Sequence, residues 1–195
     1  MTIELTHSFI YRCLNKEELL FKVTKFNTFE RNLLKQAKKY GNGNANKENE
    51  YKGWGFELFG EMLVKTFSYD KRIGVHNLQF SEEDDDTGVD GYGMGTNGKP
   101  ATVQFKYRKA NYTLKANEDH LSNFISASQN RYNVDINDEK NMIIITSGKD
   151  LHYYTKDNML YGKVRCLNRD KIRTMVDNNI PFWSDFLNSW NKSLS

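Results

Sequence analysis

The stretch DDDTGVDGYGMGTNGKPATVQFKYRK, Asp84 to Lys109, sets five glycines behind a run of three aspartates and ends in the most strand-like segment of the chain. Within it GMGTNG, Gly93 to Gly98, has the G-x-G-x-x-G spacing of a pyrophosphate loop. Such a loop closes a strand and opens a helix whose N-terminus receives the phosphates. Here Gly98 is followed by Lys99, Pro100 and the alternating segment ATVQFKYR, so no helix start is available and no nucleotide cofactor is expected. The glycines read instead as a turn, supplying positive φ in a loop between two antiparallel strands, TGVDGYGM and ATVQFKYR.

That hairpin carries the chemistry. In a strand, residues two apart share a face, so Gln104 and Lys106 point the same way and Phe105 the other. Thirteen residues separate Asp90 from Gln104, and hairpin pairing brings Asp90 beside the Q-x-K pair. A carboxylate, an amide oxygen and an ammonium then converge. Oxygen donors of this kind suit a hard cation such as magnesium, which keeps several of its own waters. Asp90-Gly91 alone is an ordinary turn pair and Lys106 alone an ordinary strand lysine. What reads as a site is that Gln104 and Lys106 interrupt one face of an otherwise apolar strand.

Outward from the hairpin, VHNLQF reads as a strand on its N-terminal side, after a helix through GWGFELFGEMLVKTFS. There Phe56, Phe59, Leu63 and Phe67 recur at helical spacing, while Glu57 and Glu61 share another, solvent-facing side. Before that helix, GNGNANKENEYKG reads as an exposed loop. Two further helices precede it, one through HSFIYRCLNKEELLFKV and one through FERNLLKQAKKY, capped by Thr28 and stopped by Gly41. After the hairpin come a helix ANEDHLSNFISASQNR, a buried strand NMIIITSG, a helix DLHYYTKDNML, a strand GKVRCL, a helix NRDKIRTMVDNN and an apolar tail PFWSDFLNSW. The order predicts an α/β fold, a mixed β-sheet flanked by helices, with residues 1–50 as an N-terminal helical extension and linker and 51–195 as the main domain.

Composition narrows the classes. The 195 residues are 38% hydrophobic and 27% charged, as in a folded globular chain, and no apolar run reaches the ~20 residues of a membrane span. The segment MTIELTHSFIYRCLNKEELL lacks a basic-then-apolar leader, so an intracellular location is expected, with Cys13 and Cys166 as free thiols. Neither cysteine has histidines at zinc-ligand spacing, and His7, His76, His120 and His152 form no metal-binding pattern. The acidic run from Glu82 to Asp86 lacks the spaced ligands of a calcium loop and reads as solvated. Net charge is only +3, but Lys106, Arg108, Lys109 and Lys115 lie in a stretch without acids and interleave with Tyr107 and Tyr112. Such a segment suits phosphate-backbone contact by Arg108, Lys109 and Lys115; Arg169, Lys171 and Arg173 form a second, weaker basic group.

VDGYG followed by VQFKYR resembles the D…(E/Q)xK core of the PD-(D/E)xK nuclease superfamily, in particular its Mrr-like restriction endonuclease branch, where glutamine replaces the middle acid. KGWGFE (Lys52 to Glu57) is similar to the start of the first helix in nuclease domains of restriction helicases, and DTGVDGYG to their DxGxDxx strand. HLSNFISAS and MIIITSG resemble the helix and strand that follow. Together these segments span about Lys52 to Asn168.

The resemblance implies a restriction-endonuclease-like fold and a magnesium-dependent endodeoxyribonuclease, manganese substituting. It implies Asp90 as central metal ligand, with the Gln104 side-chain oxygen and the Phe105 carbonyl completing the protein's share. Lys106 would orient or deprotonate the attacking water, and Glu57 would reach a metal-bound water or second cation, with Glu61 in reserve and Asp86 as a lower-ranked acid. The partner implied is DNA, with no membrane, and cutting both strands with one site per chain favours a homodimer. A junction-resolving nuclease of the same fold and an inactive DNA-binding module are the alternatives. No P-loop motor motif accompanies the nuclease-like segments.

Overall fold

A computed structural model describes residues 2–81, 88–137 and 141–195. The chain divides into two compact units, Met1–Thr66 with Asp170–Ser195, and Phe67–Arg169. The boundary therefore falls at the end of a helix rather than near residue 50, and the C-terminal segment joins the N-terminal one instead of the sheet.

The first unit is helical. Helices α1 (Phe9–Arg12) and α2 (Lys16–Leu20) replace the single helix expected over HSFIYRCLNKEELLFKV. Asn15 breaks it by adopting an extended conformation and accepting the Glu18 N–H on its side chain, so it caps α2. Helix α3 spans Phe26–Gly41, with Lys25 at its N-cap; Thr28 lies inside it and is not the cap. Helix α4 spans Ala45–Thr66, so most of the expected loop GNGNANKENEYKG is helix. The Asn44 side chain accepts from the N–H groups of Asn46 and Lys47 and starts α4. Its first turn and a half is almost entirely solvent-facing, which is why no apolar period announces it.

Helix α8 (Ile180–Leu194) contains the tail PFWSDFLNSW. Its Phe182, Trp183, Phe186 and Trp190 fall on one buried stripe; the first three meet Phe29 of α3 or Phe59 of α4, whose rings stack at 5.2 Å, and Trp190 meets Phe9 of α1. Rings of this size bury more apolar area per residue than any aliphatic, and a cluster of them dominates the core of this unit. The N-terminal segment runs along α8, with Ile3 N–H donating to Ser189 Oγ and Leu5 N–H to Ser193 Oγ.

The second unit is a mixed α/β structure. Strands β1 (Val75–Phe80), β2 (Gly91–Gly95), β3 (Pro100–Lys106), β5 (Met142–Thr146) and β7 (Arg165–Leu167) form one sheet in that order, and β4 (Thr113–Leu114) pairs with β6 (Asp150–Leu151) in a small parallel one. Strands β1, β2 and β3 form an antiparallel meander; β3, β5 and β7 are parallel. Helix α5 is Leu121–Asn130, shorter than expected, and DLHYYTKDNML resolves into β6 and the single turn α6 (Tyr153–Lys156). Helix α7 (Arg169–Val176) follows β7.

The central glycines are not turn residues. Gly91, Gly93 and Gly95 lie within β2, where a Cβ on Gly93 would sit 2.4 Å from the His76 carbonyl oxygen. The reason is a bulge in β1: the register shifts between His76 and Gln79, crowding β2 from its edge. Within GMGTNG only Gly98, at φ +74°, has the left-handed backbone expected of the turn.

Candidate functional site

Strand β3 is the middle strand of the large sheet and is buried on both sides. Its backbone alternates between neighbours. Thr102 N–H donates to Asn141 C=O and Ser147 N–H to Lys106 C=O, so even-numbered residues bond toward β5, while Asp90 N–H donates to Val103 C=O on the β2 side. Phe105 therefore presents its N–H and C=O to the β2 edge, beyond the last strand pair, Gly91 with Val103. Asp90 fills that position. Its Oδ2 accepts the Phe105 N–H at 2.6 Å, and its own carbonyl accepts from Ser81. Asp90 and Gly91 thus both face Val103, and the Asp90 carboxylate meets the stretch from Gln104 to Lys106 at the Phe105 amide.

The side chains of Thr102, Gln104 and Lys106 share the face that α5 covers, where the Thr102 and Ser128 hydroxyls are bonded at 2.7 Å. That face is otherwise apolar: Val89, Leu121, Phe124, Met142 and Ile144 belong to one buried cluster. Gln104 is 2% exposed, and its Oε1 has no hydrogen-bond partner among the described residues. An unsatisfied buried amide oxygen costs about 1–3 kcal/mol, and Thr66 Oγ1 in the helical unit is buried in the same state. The backbone crosses Gln104 at Gly88, whose φ of +78° and missing Cβ bring it close; a Cβ there would lie 3.1 Å from Gln104 Nε2 and 3.5 Å from Phe124 N. Gly88 was not singled out in the sequence, although the DTGVDG pattern contains it.

The donor set tests well against a hard divalent ion. One carboxylate, one orphaned amide oxygen and one backbone carbonyl on the same edge are oxygen donors of low total charge, suited to a weakly held magnesium or manganese with several waters. Among the described residues no three His, Cys, Asp or Glu side chains gather as a metal-binding group. Asp86 and the rest of the Glu82 to Asp86 run lie outside the described residues. Cys13 and Cys166 are in no disulfide among the described residues, and burial pushes the Cys13 thiol up.

The other expected residues have partners. Glu57 belongs to the helical unit, where its Oε2 is 2.8 Å from His7 Nε2. His7 Nδ1 accepts the Phe9 N–H, which leaves the proton on Nε2 to be donated to Glu57. Glu61 is not on a solvated face: it is fully buried and accepts from Thr6 N–H and Oγ1, His7 N–H and Lys65 Nζ. In the sheet unit Arg108 grips the buried Asp119 through Nε and Nη2 at 2.9 and 2.6 Å, and Lys115 Nζ is 2.9 Å from Glu118. The acid-free appearance of this basic stretch thus holds only along the chain. Burial, and then the adjoining Asp119, raise the pKa of Tyr112, which donates to that same carboxylate. Lys109 is exposed and makes no ion pair among the described residues. In the second basic group Arg169 is buried and donates to the Ser147 carbonyl, Arg173 is paired with Asp177, and Lys171 is exposed.

No helix among the described residues is long and apolar enough to cross a membrane. No protein-family model matches the chain, and no curated protein matches it.

Proposed function

We propose that the chain is a magnesium-dependent endodeoxyribonuclease with a restriction-endonuclease-like core, its site at the β2–β3 edge. The reading is supported above all by one observation: the Asp90 carboxylate is bonded to the Phe105 amide between Gln104 and Lys106, and the oxygen of Gln104 is buried without a hydrogen-bond partner among the described residues. A meander continued by parallel strands is compatible with that core. Asp90, Gln104 Oε1 and the Phe105 carbonyl would hold the ion, which when bound lowers the pKa of water and stabilises negative charge on a phosphodiester. Lys106, two residues beyond Gln104 on its face, orients the attacking water and offsets charge developing on the phosphate oxygens. Asp90, fixed by the Phe105 amide, positions the site, and the apolar wall under α5 excludes bulk water from one side. The reading rests on the sheet unit alone; Glu57 is held by His7 in the other.

Incubation of supercoiled plasmid with magnesium, manganese or chelator tests it, beside Asp90→Ala and Lys106→Ala. Each variant is expected to lose at least about 100-fold in cleavage rate while keeping the wild-type circular dichroism spectrum. Cleavage that persists in chelator, or equal rates in both variants and wild type, overturns it. The lack of a three-ligand acidic group among the described residues favours a second reading, a DNA-binding module without hydrolysis. Retained DNA affinity with no cleavage of linear duplex, single strand or four-way junction in either metal would establish that reading instead.

A further inference from the structure

Beyond the C-terminal ends of β3 and β5 the sheet unit carries three aromatic rings in mutual contact. The ring centroids of Tyr153 and Tyr154 are 3.9 Å apart, and His152 lies 4.5 Å from the first and 5.5 Å from the second. Tyr153 and Tyr154 are 56% and 70% exposed, and Met159 close behind them in the chain is 92% exposed. Their base is rigid. His152 N–H donates to the Leu114 carbonyl at 2.7 Å, β6 pairs with β4, and Leu151 and Thr155 on either side are buried. Large rings tilted against one another by 31–38° in solvent, on an anchored turn, forgo burial and leave their outer surfaces exposed.

The path back to the candidate site is basic. Lys106 pairs with Thr146 at the last rung of β3 and β5, and the two chains leaving that rung are tied together at Tyr112, whose N–H donates to Lys109 C=O and whose C=O accepts from Lys149 N–H. Lys109 and Lys149 are both exposed, and neither makes an ion pair among the described residues. Lys156, beside the tyrosines, is already neutralised by Asp150.

We propose that His152, Tyr153 and Tyr154 form a stacking platform for unpaired nucleobases, with Lys109 and Lys149 holding the phosphates of a single strand between it and the β2–β3 edge. Stacking needs only a π-face and tolerates any base, and a backbone between an aromatic platform and two ammonium groups meets the two contacts that single-strand binders combine. A duplex buries its base faces and cannot use the platform. The inference rests on nucleic acid being the ligand of this unit. It directs the proposed activity toward frayed, branched or single-stranded DNA.

Fluorescence anisotropy with a labelled oligothymidylate of roughly 12 nucleotides, and with the same strand in duplex, tests it on the full chain in chelator, where no cleavage intervenes. Wild type is expected to bind the single strand more tightly than the duplex. Tyr153→Leu with Tyr154→Leu should weaken single-strand binding at least about tenfold and move duplex binding less than about twofold, while Tyr→Phe at both positions keeps wild-type affinity. Lys109→Ala with Lys149→Ala should lower the slope of log affinity against log salt by about 1–2. Unchanged single-strand affinity in the leucine variant overturns the proposal, as do parallel losses for both probes or a wild type that prefers duplex. Self-association that disappears in the leucine variant would assign the rings to a second copy of the chain and overturn it too. Repeating the titration with Asp90→Ala separates this outcome from the cleavage test, because the platform's affinity is expected to survive that substitution.

Discussion

Glu61 in the helical unit and Gln104 in the sheet unit are both polar side chains sealed from solvent, at 0% and 2% exposure, and their hydrogen bonds are opposite in kind. Glu61 has four donors around its two oxygens. Gln104 offers an oxygen that nothing among the described residues meets. The first is a structural bracket between the N-terminal segment and α4, where a charge is tolerated because every lone pair is used. The second has no bond from the described residues, and it is the oxygen that the proposed metal site would use. Burial of a polar group therefore says little by itself; whether its bonds are satisfied by the chain separates support from function.

The sharpest way to break this contrast is Glu61→Ala. It strands the buried His7 N–H, the partly buried Thr6 N–H and the Lys65 ammonium, and should cost about 3 kcal/mol, lowering the melting temperature by about 6–12 °C. A drop of under about 2 °C would show the bracket to be ornamental. Arg108→Ala comes next, at about 2 kcal/mol after allowance for the arginine's partial exposure, because it strips the buried Asp119 carboxylate of the guanidinium and leaves it only Tyr112 Oη and Lys115 N–H as donors. Chemical denaturation measures it. If stability is unchanged and only DNA affinity falls, Arg108 belongs to the phosphate surface after all.

A smaller effect tests the sheet unit by pH. The Arg72 hydrogen bonds hold the Asp70 carboxyl below its usual range. Its folded pKa is depressed, so its contribution is full above the unfolded value of about 4 and disappears as pH falls through the folded one. Asp70→Asn should cost less than about 1 kcal/mol at neutral pH, since the pair is partly solvated, and nothing at a pH below the depressed value. Melting curves at both extremes check this; a difference that persists in acid would place its cause outside the ion pair. The smallest expected stability change is the most telling. Gln104→Met removes an oxygen without a partner and preserves volume, so it should shift stability by less than about 1 kcal/mol while removing metal-dependent cleavage. A large destabilisation would return Gln104 to the structural class, beside Glu61.

How much was legible depended on where each signal lives. VHNLQF became β1, and the Q-x-K strand and MIIIT appeared where alternation or continuous apolarity placed them. The start of α4 was invisible, because an N-cap asparagine and one solvent-facing turn leave no apolar period. The glycines of GYGMG were legible as a special backbone feature, but their cause is a bulge on a neighbouring strand. That Asp90 lies beside β3 followed from the hairpin, whereas the partners of Glu57, Glu61 and Arg108 are ones that no local spacing reveals.

Local sequence determined the strands of the meander, the mixed α/β character and the shared face of Gln104 and Lys106, because alternation and chirality act over a few residues. Tertiary structure alone decided that the C-terminal helix packs with the N-terminal ones, that Asp119 takes up Arg108, and that the oxygen of Gln104 has no partner among the described residues. Those outcomes depend on which atoms lie within about 3 Å across long stretches of chain, and a hydrogen bond is satisfied or orphaned only in three dimensions.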